Sequence, residues 1–196
     1  MKRFISLLMS ALMLVAVLAG CGGSGSGGSG GEQGNDASEN IVTLRNTGFL
    51  TTSDPNQTTN THEYTVFENI YEGLYDLNEA EGGYDLRLAE KIEANDDATE
   101  YIVTLRKDVK FHNGESMTAD DVVFSYDLAR ASAKQASYVR PLDHVEKVDE
   151  HTVKIVMNQS FSPIGHMLHK VKILSQKEVT EQGDNFGKVA NKAGPG

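Results

Sequence analysis

The sequence predicts an α/β domain that begins near residue 41, behind a leader and a glycine-rich segment. Two observations support this fold class. Short segments with alternating apolar residues, typical of strands, are interspersed with segments whose apolar residues recur at helical spacing. The composition, with 39% hydrophobic and 23% charged residues, is that of an ordinary globular protein.

The charge balance excludes several classes of partner. The chain has 28 acidic and 18 basic residues, which gives a net charge of −10. This argues against a nucleic-acid-binding function, because Lys and Arg side chains that neutralise phosphates supply most of that affinity. It also argues against electrostatic docking on anionic lipid. The single cysteine, Cys21, excludes an internal disulfide framework.

Residues 1–20 are typical of a signal peptide. Lys2 and Arg3 precede an uncharged run of 16 residues from Phe4 to Ala19. This run is shorter than the roughly 20 residues of a bilayer span, and it fits a secretory h-region. It ends in Leu-Ala-Gly-Cys, which resembles the lipobox of bacterial lipoproteins. The resemblance implies cleavage before Cys21 and a diacylglyceryl anchor on its thiol. A buried free thiol is the alternative.

Residues 21–40 predict a flexible tether, because they are rich in Gly and Ser and then polar. Two catalytic patterns occur here by coincidence: G-x-S-x-G over Gly27–Gly31 and G-x-G-x-x-G over Gly25–Gly30. Both chemistries need a strand before the motif and a helix after it, and the tether predicts neither.

The folded part begins with a predicted strand, Ile41–Arg45, and a turn signal at Asp54-Pro55-Asn56. Apolar residues at helical spacing then predict a helix over Glu63–Tyr75, with Gly73 helping to end it. The members of this apolar stripe are Val66, Phe67, Ile70, Tyr71 and Leu74.

Alternation predicts a strand over Tyr101–Leu105 with both faces at least partly covered. A capping box of Thr118 and Asp121 predicts a helix that runs to about Ala131. The remaining predicted elements are a hairpin over His144–Met157 and two further helices, Ser162–Leu168 and Ser175–Glu181.

Four segments carry a resemblance to a known family. They are Phe67–Leu74, Leu88–Lys91, Tyr101–Gly114 and Thr118–Ser125. Their order and spacing, behind a lipobox, resemble the N-terminal portion of an extracellular solute-binding protein of family 5. This is the oligopeptide- and dipeptide-binding lipoprotein type that serves ABC importers.

The resemblance implies a two-lobed periplasmic-binding-protein (type II) fold, with mixed sheets and flanking helices. Residues 41–196 would supply the first lobe with its small sheet-containing subdomain, and the distal lobe would be missing, so the chain is expected to be partial. The implied partners are a peptide or similar small solute and the transmembrane subunits of an ABC permease. We expect a monomer without cofactor or enzymatic activity, anchored through Cys21 at the outer face of the bacterial cytoplasmic membrane, on its periplasmic or extracellular side.

Five residues are the ligand-binding candidates. In relatives, the loop just beyond the Asp-Pro turn approaches the ligand, and here that loop contains Thr58, Thr59, Asn60 and Thr61. Hydroxyl and amide groups on such a loop suit hydrogen bonding to a peptide backbone. Ala-Ser-Tyr at residues 136–138 resembles a segment that presents a tyrosine to the cleft, which makes Tyr138 the fifth candidate. An ordinary solvated loop and a core tyrosine are the alternatives.

The six histidines of the chain are candidate metal ligands. His166 and His169 are three residues apart and could share a helix face. Because no cysteine or carboxylate follows at ligand spacing, we expect no protein-ligated metal. Two alternative functions stay open: a nickel- or sugar-binding member of the same family, and a truncated or degenerate lipid-anchored fragment without independent ligand binding.

Overall fold

The structure is a computed structural model that describes residues 50–188 and 192–195. The helices are α1 (Thr61–Ile70), α2 (Ala119–Ala131), α3 (Gly165–Lys170) and α4 (Gln176–Gln182). The strands are β1 (Tyr75–Asn78), β2 (Gly83–Leu86), β3 (Ala89–Ala94), β4 (Glu100–Leu105), β5 (Leu142–Asp149) and β6 (Thr152–Met157). The predicted signal peptide, the tether with Cys21 and the predicted strand Ile41–Arg45 lie outside the described residues.

A four-stranded antiparallel sheet of order β3-β4-β6-β5 forms one side of the main core. The predicted alternation in β4 is confirmed, since Tyr101, Val103 and Leu105 are all buried. Val103 pairs with Val153 of β6, so the apolar residues of neighbouring strands lie side by side. The opposite face is only half covered, because Ile102 is 37% exposed.

Helix α2 covers the buried face of this sheet and begins where the capping box predicts. The Asp121 carboxylate accepts hydrogen bonds from the backbone N–H and the hydroxyl of Thr118, at 2.9 and 3.0 Å. Val122, Tyr126 and Ala129 recur at helical spacing and are buried against the sheet. The hairpin β5–β6 is also confirmed, with its turn at residues 150–151.

The prediction that the first helix runs to Tyr75 is wrong at its C-terminal end. Helix α1 ends at Ile70, and Tyr71 is extended, with φ −131° and ψ 144°. Leu74 is fully buried but lies outside the helix, and Tyr75 begins β1. The apolar spacing therefore continues past the helix because the following extended segment also buries apolar residues.

Gly73 does not end the helix; it allows two backbones to approach closely. A Cβ at this position would lie 2.5 Å from the Leu168 carbonyl oxygen and 2.8 Å from that of His169. A side chain at residue 73 would therefore collide with the backbone of α3.

The predicted C-terminal helices are present with shifted starts. The helix predicted over Ser162–Leu168 is α3, which begins at Gly165. The helix predicted over Ser175–Glu181 is α4, and Ser175 is its N-cap, with the side chain accepting from the Glu178 N–H. No apolar pattern predicted β1, β2 or β3, because these strands are short and mostly exposed.

Candidate functional site

An open groove of about 390 Å³ lies where α3 faces the segment between α2 and β5. Its lining includes Tyr138 and Arg140 from that segment, Phe161 from the chain before α3, and His166 from α3. Met167, which is buried, closes the floor of this region from the core side. We call this the Tyr138 groove; it combines aromatic surface with a guanidinium and an imidazole.

His166 is held in the groove by two aromatic residues. Its ring lies 5.5 Å from the ring of Tyr138, and its Nδ1 lies 3.1 Å from the hydroxyl of Tyr84. Burial lowers the pKa of His166, and the nearby positive charge of Lys170 lowers it further. The imidazole is therefore neutral near pH 7, and it can exchange hydrogen bonds with a ligand without adding charge.

Gln135 connects the loop that contains the first four candidates to the segment that carries Tyr138. Its buried Nε2 donates to the carbonyl oxygen of Pro55 at 2.8 Å and to the hydroxyl of Tyr64 at 3.0 Å. Burial raises the pKa of Tyr64, which keeps this phenol protonated. The two predicted segments are thus joined through a short polar network.

The structure places Thr58 and Asn60 in contacts that hold the loop itself. The Thr58 hydroxyl donates to the buried carboxylate of Glu63 and accepts from the Asn60 N–H at 2.9 Å. The Asn60 side chain caps α1, where its Oδ1 accepts from the His62 N–H at 2.9 Å. This arrangement explains the two residue types without a ligand.

Thr59 and Thr61 are exposed at the start of α1, and Tyr138 is half-buried on the wall of the groove. The structure thus leaves two of the loop hydroxyls and one phenol at the surface of the molecule. Their role as ligand contacts stays a prediction.

Tyr64, Gln135 and Phe161 were not among the predicted site residues, and His166 was considered only as a possible metal ligand. None of these residues belongs to a periodic apolar pattern or a short motif. Only the position of Gln135, three residues before Tyr138, could have indicated that it supports the same site.

Residues in the segments that carry the family resemblance have scaffold positions. Arg106 pairs with Asp108 on the surface, with 2.9 Å between the guanidinium and the carboxylate. Phe111 is buried in the core, and Gly114 has a φ of +89°, which favours glycine. In the part of the chain that the structure describes, no helix has the length and apolar character to cross a bilayer.

Comparisons with known proteins agree with this architecture. Residues 84–195 match the middle region of the bacterial extracellular solute-binding proteins, family 5. The glutathione-binding protein GsiB of Salmonella choleraesuis is 29% identical over 160 residues, which cover 77% of this chain and 30% of GsiB.

Two solved structures extend the likeness to three dimensions. MoaA from A. tumefaciens R10, in complex with mannopinic acid, matches with a TM-score of 0.62 and 32% identity, covering 69% of this chain and 29% of that one. AppA of Bacillus subtilis, in complex with a nonapeptide, matches with a TM-score of 0.60 and 27% identity, covering 68% and 27%. The chain therefore spans about a third of the length of the proteins it matches. On its family match and its fold, the chain belongs to the bacterial extracellular solute-binding proteins of family 5.

Proposed function

We propose that this chain is the ligand-capturing part of a solute-binding lipoprotein that delivers peptides, or similar small solutes, to an ABC permease. The observation that carries the proposal is the Tyr138 groove, in a chain of this family. The relatives support a small polar cargo, since their names or titles record glutathione, a nonapeptide and mannopinic acid as bound molecules.

The chemistry of the groove suits a peptide-like ligand. The rings of Tyr138 and Phe161 offer apolar faces for side chains of the ligand. The His166 imidazole can hydrogen-bond to an amide, and the Arg140 guanidinium favours a carboxylate. These groups bind without offering a nucleophile and base in partnership, so the proposed activity is capture without chemistry.

The proposed mechanism is a shift between open and closed forms. The groove is open on one side, and a second lobe of the whole protein would close over the ligand there. Ligand that contacts both lobes favours the closed form, because only that form provides both sets of contacts. The permease would then recognise the closed form.

We further propose that Cys21 carries a lipid that keeps the receptor beside its permease. Two acyl chains give stable attachment, because each buried CH₂ contributes about 0.8 kcal/mol. Mass spectrometry of the membrane-derived protein should find residues 1–20 removed and a diacylglyceryl group on Cys21. A C21S variant that remained in the membrane fraction would contradict this anchor.

Calorimetric titration tests the groove. The purified full chain is titrated in turn with glutathione, a nonapeptide and mannopinic acid, so that one ligand panel compares peptides with a solute that is not a peptide. We expect saturable binding of a peptide, weakened in Y138A and H166Q. The matched control is Y75A, which removes a tyrosine ring outside the groove. Absence of peptide binding, or equal affinity in all variants, would count against the proposal.

A further inference from the structure

A second histidine of α3, His169, is placed unlike His166. It is only 4% exposed, and its Nδ1 has no hydrogen-bond partner within residues 50–188 and 192–195. Two carboxylates face the ring from other elements. The Asp76 Oδ1 of β1 lies 3.7 Å from Nδ1, and the Glu68 Oε1 of α1 lies 3.6 Å from Nε2. A buried imidazole nitrogen without a hydrogen-bond partner, between two carboxylates, is a group that a bound ion or a water molecule would satisfy.

The spacing of these groups fits a metal ion. One ligand atom from each of Glu68, Asp76 and His169 lies within 4.8 Å of the other two. The ligand atoms of a tetrahedral zinc ion are about 3.4 Å apart, given metal–ligand bonds of about 2.1 Å. An ion bound at one ring nitrogen would therefore draw the two carboxylates closer together. Both carboxylates line a small cavity of about 50 Å³, which exceeds the roughly 10–15 Å³ that a water ligand needs.

We propose that Glu68, Asp76 and His169, the His169 cluster, bind a divalent transition-metal ion. Imidazole nitrogen with carboxylate oxygen suits zinc, nickel or iron, whereas calcium and magnesium prefer oxygen ligands alone. A water molecule in the cavity would complete the coordination. The ion would connect α1, β1 and α3, so its role would be structural. This site is separate from the Tyr138 groove and does not depend on the function proposed for it.

Neighbouring charges moderate the affinity of the cluster without blocking it. The Lys172 ammonium donates to Glu68 Oε2 at 2.7 Å, which leaves Oε1 turned toward His169. Lys170 lies 3.8 Å from that same Oε1.

One further charged pair lines the same cavity and largely cancels itself. The Arg87 Nε donates to Glu72 Oε1 at 2.7 Å. The other charges that line the cavity are the Glu68 and Asp76 carboxylates and the Lys172 ammonium.

Zinc titration of the full chain tests the proposal. The protein, purified in detergent and stripped with EDTA, is titrated with ZnCl₂ in a calorimeter. We expect one zinc ion per chain, bound at least tenfold more weakly by H169N and by D76N. The control is H62Q, which removes an exposed histidine from α1, the helix that also carries Glu68. No binding, or equal affinity in H169N and the unaltered chain, would overturn the site.

A second measurement on the unaltered chain covers the case in which a variant does not fold. Nitrogen-15 spectra of the histidine rings are recorded during the zinc titration. Zinc at the proposed site moves the ring nitrogen resonances of His169 at one equivalent. Shifts at the exposed histidines with His169 unchanged would mean adventitious zinc and would overturn the proposal.

Discussion

The two ends of α1 each hold a carboxylate among buried polar groups, but the two environments differ in their hydrogen bonding. Near the N-terminal end, the 2%-exposed Glu63 accepts from the Thr51 N–H at 2.6 Å, from the Thr51 hydroxyl at 2.5 Å and from the Thr58 hydroxyl. Near the C-terminal end, Glu68 faces His169, whose Nδ1 is without a hydrogen-bond partner in the part of the chain that the structure describes.

The difference separates scaffold from candidate site. Nearly all buried polar groups in proteins are hydrogen-bonded, so a fully bonded carboxylate needs no ligand to explain it. Glu63 is such a group, and it fixes the segment from Thr51 to Thr58 against the first turn of α1. His169 is the opposite case, because its environment is polar but incomplete. Hydrogen-bond satisfaction, more than burial, tells the two regions apart.

Removing the Glu63 carboxylate should produce the largest loss of stability. E63A removes the acceptor of the buried Thr58 hydroxyl and of the Thr51 hydroxyl, and hydrogen bonds to charged groups contribute about 1.5–3 kcal/mol each. We expect the free energy of unfolding to fall by about 4 kcal/mol in urea titrations. E79A, which removes an exposed carboxylate from the β1–β2 turn, is the control. A loss no larger than that of E79A would show that this region is not an anchor.

The same carboxylate predicts a pH dependence. Burial raises the pKa of Glu63, but the hydrogen bonds from Thr51 and Thr58 outweigh it and hold the pKa below its usual value. Its stabilisation is therefore fully present above the unfolded pKa of about 4.3 and is lost as the pH falls through the lower folded pKa. The difference in urea midpoint between the unaltered chain and E63Q should shrink below pH 4. A constant difference down to pH 3 would contradict this assignment.

The second region depends on close backbone packing, which G73A tests. The new Cβ would lie 2.5 Å from the Leu168 carbonyl oxygen, so α3 would have to move away from the chain after α1. Overpacking of this kind costs about 2 kcal/mol. G83A is the matched control, since a Cβ there meets nothing within 4 Å. Equal unfolding free energies for the two variants would mean that this approach is not a constraint.

Local signals were enough to predict the elements that depend on them. The Thr118–Asp121 capping box specifies where α2 begins, because both partners lie within one helical turn. The alternation in β4 and the β5–β6 turn are equally local. These elements form the main core, so most of that core could be read from apolar spacing.

The sequence could not predict the features that depend on distant contacts. The close approach of Gly73 to α3 joins segments almost one hundred positions apart along the chain, and no pattern near residue 73 records it. The His169 cluster has the same character: its neighbour Lys172 bonds to Glu68 across 104 residues. The sequence predicted no metal site because no cysteine or carboxylate follows the histidines at ligand spacing. In the fold, carboxylates from two other elements lie beside His169.

Two buried tyrosines test the same distinction, between polar groups with and without a hydrogen-bond partner, through the removal of a single hydroxyl. The Tyr71 hydroxyl donates to the Ser53 carbonyl oxygen at 2.6 Å, whereas the fully buried Tyr126 hydroxyl has no hydrogen-bond partner among the described residues. Y71F should lower the free energy of unfolding by about 1 kcal/mol, and Y126F should raise it by about 1 kcal/mol. Urea unfolding of both variants checks the signs. A lower free energy of unfolding in Y126F would show that the Tyr126 hydroxyl has a hydrogen-bond partner in the unaltered chain.

The smallest effect on stability is expected at Thr59, which lies in the loop of predicted ligand contacts, residues 58–61. Thr58 is buried and bonded to Glu63, whereas Thr59 is exposed. T58A should therefore lower the free energy of unfolding by about 1–2 kcal/mol, and T59A should change it by less than about 0.5 kcal/mol.

Because T59A leaves the fold intact, its effect on ligand affinity reports on contact alone. If the loop contacts the solute, peptide affinity falls in T59A while the urea midpoint stays unchanged. An unchanged affinity together with an unchanged midpoint would remove Thr59 from the site and would identify the loop as scaffold, with Thr58 and Asn60 as its structural residues. The contacts with the ligand would then come from the Tyr138 groove and not from the loop.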